Sequence, residues 1–115
     1  MDLIMKRGEI FFAALDPTRG SEIQKTRPVI IVSNDAANRA AALVTVVPLT
    51  SNLSSVHPFE VKLGARETGL SKDSKAMAQQ VRTIDKARMG SVRKGLVPIA
   101  KMRQVDDALR LHLAL

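Results

Sequence analysis

The apolar residues of this sequence fall into short runs of strand length, and polar or turn-forming segments separate the runs. Short runs rich in β-branched and aromatic residues predict strands. Five strands are expected, at Glu9–Leu15, Val29–Val32, Leu43–Leu49, Phe59–Leu63 and Lys75–Ile84. Because no long helices are predicted between them, the pattern disfavours a doubly wound α/β fold. It favours a small barrel or a strongly curved antiparallel sheet.

The last segment of the chain has a different period. Ile99, Met102, Val105 and Leu109 recur at steps of three and four residues, with charged residues on the opposite side. This pattern predicts an amphipathic helix that begins near Pro98, where a proline is tolerated in the first turn. The predicted fold class is therefore mainly β, a small antiparallel barrel with one C-terminal amphipathic helix. The 115 residues fit a single domain, 1–115.

The residue types present exclude several kinds of chemistry. The chain has no cysteine, so disulfide scaffolds, thiol nucleophiles and cysteine zinc sites are excluded. His57 and His112 are isolated, and Asp106 and Asp107 point in different directions on the predicted helix. We therefore expect no metal site and no cofactor, and the two histidines are weak candidates for an acid–base pair. No secretory signal or membrane-spanning run is visible, which predicts a cytoplasmic protein.

The net charge of +7 comes from 18 basic and 11 acidic residues. Residues 82–110 carry eight basic and three acidic side chains, a net charge of +5, which leaves +2 for the rest. Such an excess favours a polyanionic partner, although it also simply aids solubility. The chain has three aromatic residues, and we expect Phe11 and Phe12 in the core because they lie in an apolar run. A passive single-strand binder with a platform of stacking rings is therefore disfavoured.

Polar residues flank the second and third predicted strands. Antiparallel pairing of these strands brings Arg27, which precedes one, close to Thr50, which ends the other. The long loop Asp16–Thr26 lies above them and carries Ser21 and Glu22. A guanidinium, hydroxyls and a carboxylate around one point suit a phosphodiester substrate. The alternative is that Arg27 pairs with Glu22 structurally and that Thr50 only forms a turn.

Several short motifs in a fixed order carry a family resemblance. They are Lys6–Phe12, Gly20–Glu22, Arg27–Val32, Ser33–Asp35, Pro48–Ser51, Gly69–Leu70, Asp73–Ser74 and Gln80–Lys86. In this order and spacing the sequence resembles the MazF/PemK family of toxin–antitoxin ribonucleases over nearly the whole chain. The resemblance implies an SH3-like barrel, a homodimer, and sequence-specific, metal-independent cleavage of single-stranded RNA at short sequences. The implied substrate is mainly messenger RNA. It also implies a cognate antitoxin whose acidic, flexible C-terminal segment covers the RNA groove.

The same resemblance assigns the site residues. Arg27 would stabilise charge on the phosphorane, Thr50 would donate to a phosphate oxygen, and Glu22 would orient Arg27 or act as the base. The implied reaction is attack by the 2′-hydroxyl, which leaves 2′,3′-cyclic phosphate and 5′-hydroxyl ends. The residues expected to bind substrate are Ser21, Lys25, Ser51, Gln79 and Arg82.

Two positions depart from the family pattern. Many relatives have a glycine pair before the arginine, where this chain has Gln24-Lys25-Thr26. Some relatives use an Arg-Cys-Asp set on the fifth strand, where this chain has Met77-Ala78-Gln79. The second mechanism is therefore not expected here, and Gln79 is instead predicted to read a base edge.

Two other functions remain open from the sequence. A gyrase poison of the same barrel type depends on a C-terminal tryptophan, whereas this chain ends Leu113-Ala114-Leu115 and has no tryptophan. A basic barrel that binds nucleic acid or acidic protein without cutting is the other alternative. Binding of RNA without cleavage would favour it.

Overall fold

The computed structural model describes residues 5–16, 19–22 and 25–115. The predicted loop Asp16–Thr26 therefore includes residues 17–18 and 23–24, which lie outside the described residues. The elements in chain order are β1 (Glu9–Ala14), β2 (Thr26–Ile31), α1 (Asp35–Ala40), β3 (Leu43–Thr50), β4 (Glu60–Leu63), α2 (Ala65–Thr68), β5 (Ser74–Met77), β6 (Arg82–Asp85), β7 (Gly95–Leu96) and α3 (Ile99–Leu113).

The strands form one antiparallel sheet in the order β4-β5-β3-β2-β1-β7, with β6 also paired to β3. Strand β3 pairs with three other strands, β2, β5 and β6. One flank pairs with β2, and the other pairs first with β6, as far as Val46, and then with β5, from Leu49. Pro48 lies where this second flank changes partner, a place where a missing backbone donor is tolerated. The sheet is curled into a half-barrel, which confirms the predicted fold class.

Alternation along the strands builds two hydrophobic cores. The first core contains Ile10, Ile30, Val47 and Leu49, and α3 covers it with Met102, Val105 and Ala108. The second core, on the opposite face, is formed chiefly by Phe11, Val29, Ile31, Val44 and Val46. Each such fully buried side chain contributes about 1.5–3 kcal/mol relative to exposure. The terminal helix thus closes one face of the curved sheet, as the sequence pattern predicts.

Three local features differ from the sequence prediction. The expected strand Lys75–Ile84 is interrupted by a 3₁₀ turn, Ala78–Gln80, so that it forms the two strands β5 and β6. The short elements α2 and β7 were not predicted, because their runs of four and two residues are too short to show a period.

Within the described residues, no helix combines the length and the apolar character needed to span a membrane.

The contact between α2 and β7 depends on Gly95. A Cβ atom at this position would lie 2.5 Å from the carbonyl oxygen of Thr68 and 3.4 Å from Ile10 Cδ1. We expect Gly95→Ala to lower the free energy of unfolding by about 1–3 kcal/mol, since backbone must shift to make room. Urea denaturation measures this. Gly64→Ala is the control, because the atoms its Cβ would meet within 4 Å belong to side chains, Glu67 Oε2 at 3.3 Å and Asp73 Oδ1 at 4.0 Å, and not to backbone. Equal stability of the two variants would contradict the expectation.

Candidate active site

Arg27 and Thr50 lie at one rim of the sheet. Strands β2 and β3 pair with Val29 opposite Pro48. Because the strands are antiparallel, the residue two before Val29, which is Arg27, lies opposite the residue two after Pro48, which is Thr50. Both side chains are half-buried and both line the same cleft. The juxtaposition expected from antiparallel pairing is therefore present in the structure.

The cleft at this rim has a volume of about 390 Å³. Its lining has a polar part, which includes Arg27 and Thr50, and an apolar part. The residues that line it are Phe12, Lys25, Thr26, Arg27, Pro28, Leu49, Thr50, Ser51, Leu70, Ser71, Lys72 and Ser74. Three basic side chains in one cleft favour an anionic ligand. Of the predicted site residues, the structure thus brings together Arg27, Thr50, Lys25 and Ser51.

The backbone of Lys25 has a φ of +71°, a conformation that residues other than glycine seldom adopt. Its carbonyl accepts the amide of Leu15 at 3.2 Å, and its own amide donates to Asp16 Oδ1 at 3.1 Å. Glycine would adopt this conformation freely, whereas lysine does so at a cost of about 1–2 kcal/mol. Such a conformation is often found at functional sites, and Lys25 lines the cleft together with Arg27.

Thr50 is oriented by the backbone that follows it. Its hydroxyl oxygen accepts the amide of Asn52 at 3.2 Å. A hydroxyl that already accepts one bond directs its own proton elsewhere, so Thr50 can donate to a phosphate oxygen in the cleft.

Ser21 and Glu22 occupy an exposed turn and are not among the residues that line the cleft. Glu22 Oε1 accepts the amide of Arg19 at 2.7 Å, and the carbonyl of Arg19 accepts the amide of Glu22 at 3.1 Å. The carbonyl of Ser21 accepts Gln80 Nε2 at 3.5 Å. In this position the carboxylate of Glu22 stabilises its own turn.

The last two predicted residues, Arg82 and Gln79, also lie outside the cleft lining. Arg82 donates to the carbonyl of Leu15 at 3.2 Å and so ties β6 to the end of β1. Gln79 donates from Nε2 to Glu60 Oε2 at 2.8 Å, and its Oε1 is buried. Its Nε2 is therefore engaged inside the protein, whereas its Oε1 has no hydrogen-bond partner among the described residues.

A buried polar network supports the segment that follows Thr50. Glu60 accepts hydrogen bonds from the amide of His57 at 2.9 Å and from Lys75 Nζ at 3.0 Å, besides the one from Gln79. Lys75 also donates to the carbonyl of Ser55 at 2.6 Å, and it lies opposite Thr50 in the β3–β5 register. Burial raises the pKa of Glu60, but these hydrogen bonds and the Lys75 charge outweigh it and hold its pKa below the usual value.

Sequence reasoning missed Phe12 as a site residue. Phe11 is 1% exposed, as expected, but the expectation for Phe12 was wrong, since it is 41% exposed and lines the cleft. The signal was available, because strand residues alternate between faces and two adjacent phenylalanines cannot both enter one core.

The two histidines lie outside the cleft lining. His57 and His112 both contact Phe59, with ring centroids 5.2 and 6.5 Å apart, and none of the three lines the cleft. Over the described ranges, no group of three or more histidine, cysteine, aspartate or glutamate residues gathers as a metal site would require.

Comparison with known proteins identifies the family. Residues 6–113 match the model of the PemK-like, MazF-like toxins of type II toxin–antitoxin systems. The chain belongs to this family. A curated relative, endoribonuclease MazF9 of Mycobacterium tuberculosis (strain ATCC 25618 / H37Rv), is 48% identical over 118 residues, which cover 97% of this chain and 98% of the relative.

Solved structures share the fold of this MazF-like toxin. The crystal structure of MazF (Form-I) from Deinococcus radiodurans superposes with a TM-score of 0.87 at 24% identity, covering 99% of this chain and 100% of the other. An endoribonuclease in complex with its cognate antitoxin from Mycobacterial species has a TM-score of 0.78 at 28% identity and covers 96% of each chain. The first likeness concerns the fold alone, and the second shows that a relative of this kind forms an antitoxin complex.

Proposed function

We propose that this MazF-like toxin is an endoribonuclease that cleaves single-stranded RNA, mainly messenger RNA, at the rim formed by Arg27 and Thr50. The observation that carries the proposal is the meeting of these two side chains in one basic cleft, in a chain 48% identical to a named endoribonuclease. The reaction proposed is transesterification without a metal ion.

In this reaction the substrate supplies its own nucleophile. The 2′-oxygen loses its proton and forms a bond to the adjacent phosphorus, while the bond from phosphorus to the 5′-oxygen breaks and that oxygen gains a proton. The products are a 2′,3′-cyclic phosphate and a 5′-hydroxyl. Arg27 has the planar donor array that binds two phosphate oxygens, and it would stabilise the negative charge of the phosphorane. The hydroxyl of Thr50 would donate a hydrogen bond to a phosphate oxygen.

The remaining predicted residues are given supporting roles. Glu22 is proposed to order the loop that carries Ser21, through its bond to the amide of Arg19, rather than to act as the base. Lys25 and Ser51, which line the cleft, would contact the RNA backbone. Arg82 would hold the end of β1 through its bond to the carbonyl of Leu15, and its charge would add to the attraction of the protein for RNA. Since Gln79 Nε2 donates to Glu60 and Gln79 lies outside the cleft lining, we assign Gln79 to support of the buried network rather than to reading a base.

The partners proposed follow from charge and from the relatives. A net charge of +7 suits both RNA and an antitoxin with an acidic C-terminal segment that competes for the cleft. A homodimer is also proposed. It would cover apolar side chains that are exposed here, among them Leu96 (48%) and Ile99 (75%). The cytoplasm is the proposed location, because substrate and antitoxin would meet the toxin there.

One assay tests the proposal against the alternatives. The pure protein is incubated with single-stranded RNA in the presence of EDTA, and the ends of the products are analysed. Fragments with 2′,3′-cyclic phosphate ends support the ribonuclease. RNA that is bound but intact supports the non-catalytic barrel, and inhibition of DNA gyrase with intact RNA supports the gyrase poison.

Thr50→Val provides a more specific prediction. The variant keeps the branched shape but loses the hydroxyl, and we expect kcat to fall about 10²-fold, the effect of removing one donor to a developing oxyanion. The melting temperature should stay near that of the wild type. The matched control is Thr83→Val, since Thr83 lies on β6 outside the cleft lining and bonds only to Thr45 among the contacts found for its side chain in the described residues. Unchanged kcat in Thr50→Val would remove Thr50 from the mechanism.

A further inference from the structure

The connection between β3 and β4, residues 51–58, follows directly after Thr50. All of its residues except the half-buried Leu53 are exposed, and Ser51 lines the cleft. Exposed connections are usually more mobile than the strands that they join. The course of this connection matters, because the amide of Asn52, which belongs to it, donates to the hydroxyl oxygen of Thr50 at 3.2 Å.

That hydrogen bond selects the orientation of the Thr50 side chain. The backbone of Thr50 is fixed by its pairing with Lys75 in β5, but its hydroxyl has more than one staggered position available. The bond is kept only in an orientation in which the oxygen accepts the Asn52 amide. A local turn, in which Asn52 Oδ1 accepts the amide of Ser54 at 3.1 Å, sets the backbone at this point. The direction in which Thr50 donates to a phosphate therefore depends on how Asn52 is held.

A buried ion pair holds the rest of the connection. The ammonium of Lys75 donates to the carbonyl of Ser55 at 2.6 Å and to Glu60 Oε1 at 3.0 Å. The same carboxylate oxygen of Glu60 accepts the amide of His57 at 2.9 Å. The side chains of Lys75 and Glu60 are 10% and 2% exposed. Two buried charges thus fix two backbone groups of an exposed segment.

The energetics of this pair favour a positioning role. An intact buried ion pair is often no more stabilising than apolar side chains of the same size, since both charges lose their water. Gln79 adds a further cost, because its Nε2 donates to Glu60 at 2.8 Å while its Oε1 stays buried without a partner among the described residues. What the charged pair supplies, and apolar side chains would not, is a donor and an acceptor aimed at the connection.

We propose that Asn52, Lys75 and Glu60 are positioning residues for RNA cleavage. They hold the β3–β4 connection in one course, and the connection in turn holds the hydroxyl of Thr50 toward the cleft. None of the three is among the residues that line the cleft, so they act through Thr50. The inference rests on the proposed ribonuclease function and adds to it the part of the protein that orients the Thr50 hydroxyl.

The local turn is tested with Asn52→Ala, which removes the acceptor of the Ser54 amide. We expect kcat to fall about 3- to 30-fold with KM nearly unchanged, because a group that is misplaced loses part of its effect. Asn52→Ser should recover much of the loss, since a serine hydroxyl forms the same turn more weakly.

The matched control for this variant is Asn34→Ala. Asn34 is also exposed, lies outside the cleft lining and accepts the amide of Ala37 at 2.8 Å, so an equivalent hydrogen bond is lost elsewhere. Its kcat should equal that of the wild type. A loss in Asn52→Ala that appears only in KM, or that Asn52→Ser does not relieve, would contradict the proposal.

The ion pair is tested with the double variant Lys75→Met/Glu60→Gln, which removes the donor to Ser55 without leaving a buried charge. At a temperature at which circular dichroism shows the variant folded, we expect kcat to fall about 10-fold. In a Thr50→Val background the same double substitution should cause no further loss of kcat, because the hydroxyl to be oriented is gone. Losses that multiply would show that the pair affects activity independently of Thr50 and would overturn the proposal. If the double variant does not fold, the same cycle is carried out with Asn52→Ala.

A measurement on the free protein separates this inference from the catalytic assignment. Backbone ¹⁵N order parameters of residues 52–55 should be about 0.85 in the wild type and below about 0.6 in the double variant or, if that does not fold, in Asn52→Ala. The values in β3 should not change. Equal order parameters in wild type and variant overturn the proposal. If Thr50→Val cuts RNA at the wild-type rate, the proposed mechanism fails, while loss of order in the variant still shows that these side chains fix the connection.

Discussion

Replacing Arg27 by alanine is expected to lower the rate of RNA cleavage about 10³- to 10⁵-fold, which is what a charge-stabilising arginine contributes in phosphoryl transfer. Arg27 faces Thr50 across the β2–β3 rim, in a cleft with two further basic side chains. Those two cations should retain much of the affinity for RNA in the variant. The loss should therefore appear mainly in kcat, with a smaller change in KM.

Two variants make this result interpretable. Arg39→Ala removes an exposed arginine in the last turn of α1 and should leave kcat unchanged. Arg27→Lys keeps the charge but loses the planar donor pair, and it should recover only a small part of the activity. Thermal denaturation of all three verifies the fold. Cleavage by Arg27→Ala within tenfold of the wild type would show that another group stabilises the transition state.

The largest expected effect on stability comes from Lys75→Met. The side chains of Lys75 and Glu60 are 10% and 2% exposed, and removing one partner leaves a buried charge with less compensation. We expect the free energy of unfolding to fall by about 3–5 kcal/mol, a large part of the total for a domain of this size. Urea denaturation measures the change.

A matched pair and a double variant provide the controls. Arg110 and Asp107 form an ion pair whose side chains are 62% and 77% exposed, so Asp107→Ala should change stability little. The double variant Lys75→Met/Glu60→Gln leaves no buried charge and should recover much of the loss. If it is no more stable than Lys75→Met, lost packing rather than the uncompensated charge is responsible.

The same pair predicts a dependence on pH. The pKa of Glu60 is lower in the folded protein than its usual value. The unfolded chain therefore binds the proton more readily, and the stabilisation by Glu60 is fully present above the usual glutamate pKa. It is lost as the pH falls through the lowered value. In Lys75→Met one cause of the lowered pKa is gone, so stability should vary less over this range of pH.

Sequence patterns were sufficient for the frame of the site. The strands flanking Arg27 and Thr50 have clear apolar runs, and antiparallel pairing then brings the two residues together. The side chain of Phe12 was misplaced because a run of apolar residues hides the period of two in β1. The role of Lys75 was not predictable, since all four residues of β5 are buried and burial of a lysine depends on Glu60, 15 residues away. Such a partnership is a tertiary property.

Strand β3 contributes side chains to both hydrophobic cores, and this affects how the toxin can be inactivated. Val47 and Leu49 belong to one core and Val44 and Val46 to the other, so β3 cannot detach from either face without exposing both. Thr50 is the last residue of that strand. Local unfolding is therefore limited to peripheral parts of the chain and leaves the rim with Thr50 folded. A protease that cuts only unfolded segments would therefore reach the backbone of β3 near Thr50 only when the whole domain unfolds. We expect loss of activity and loss of structure to coincide.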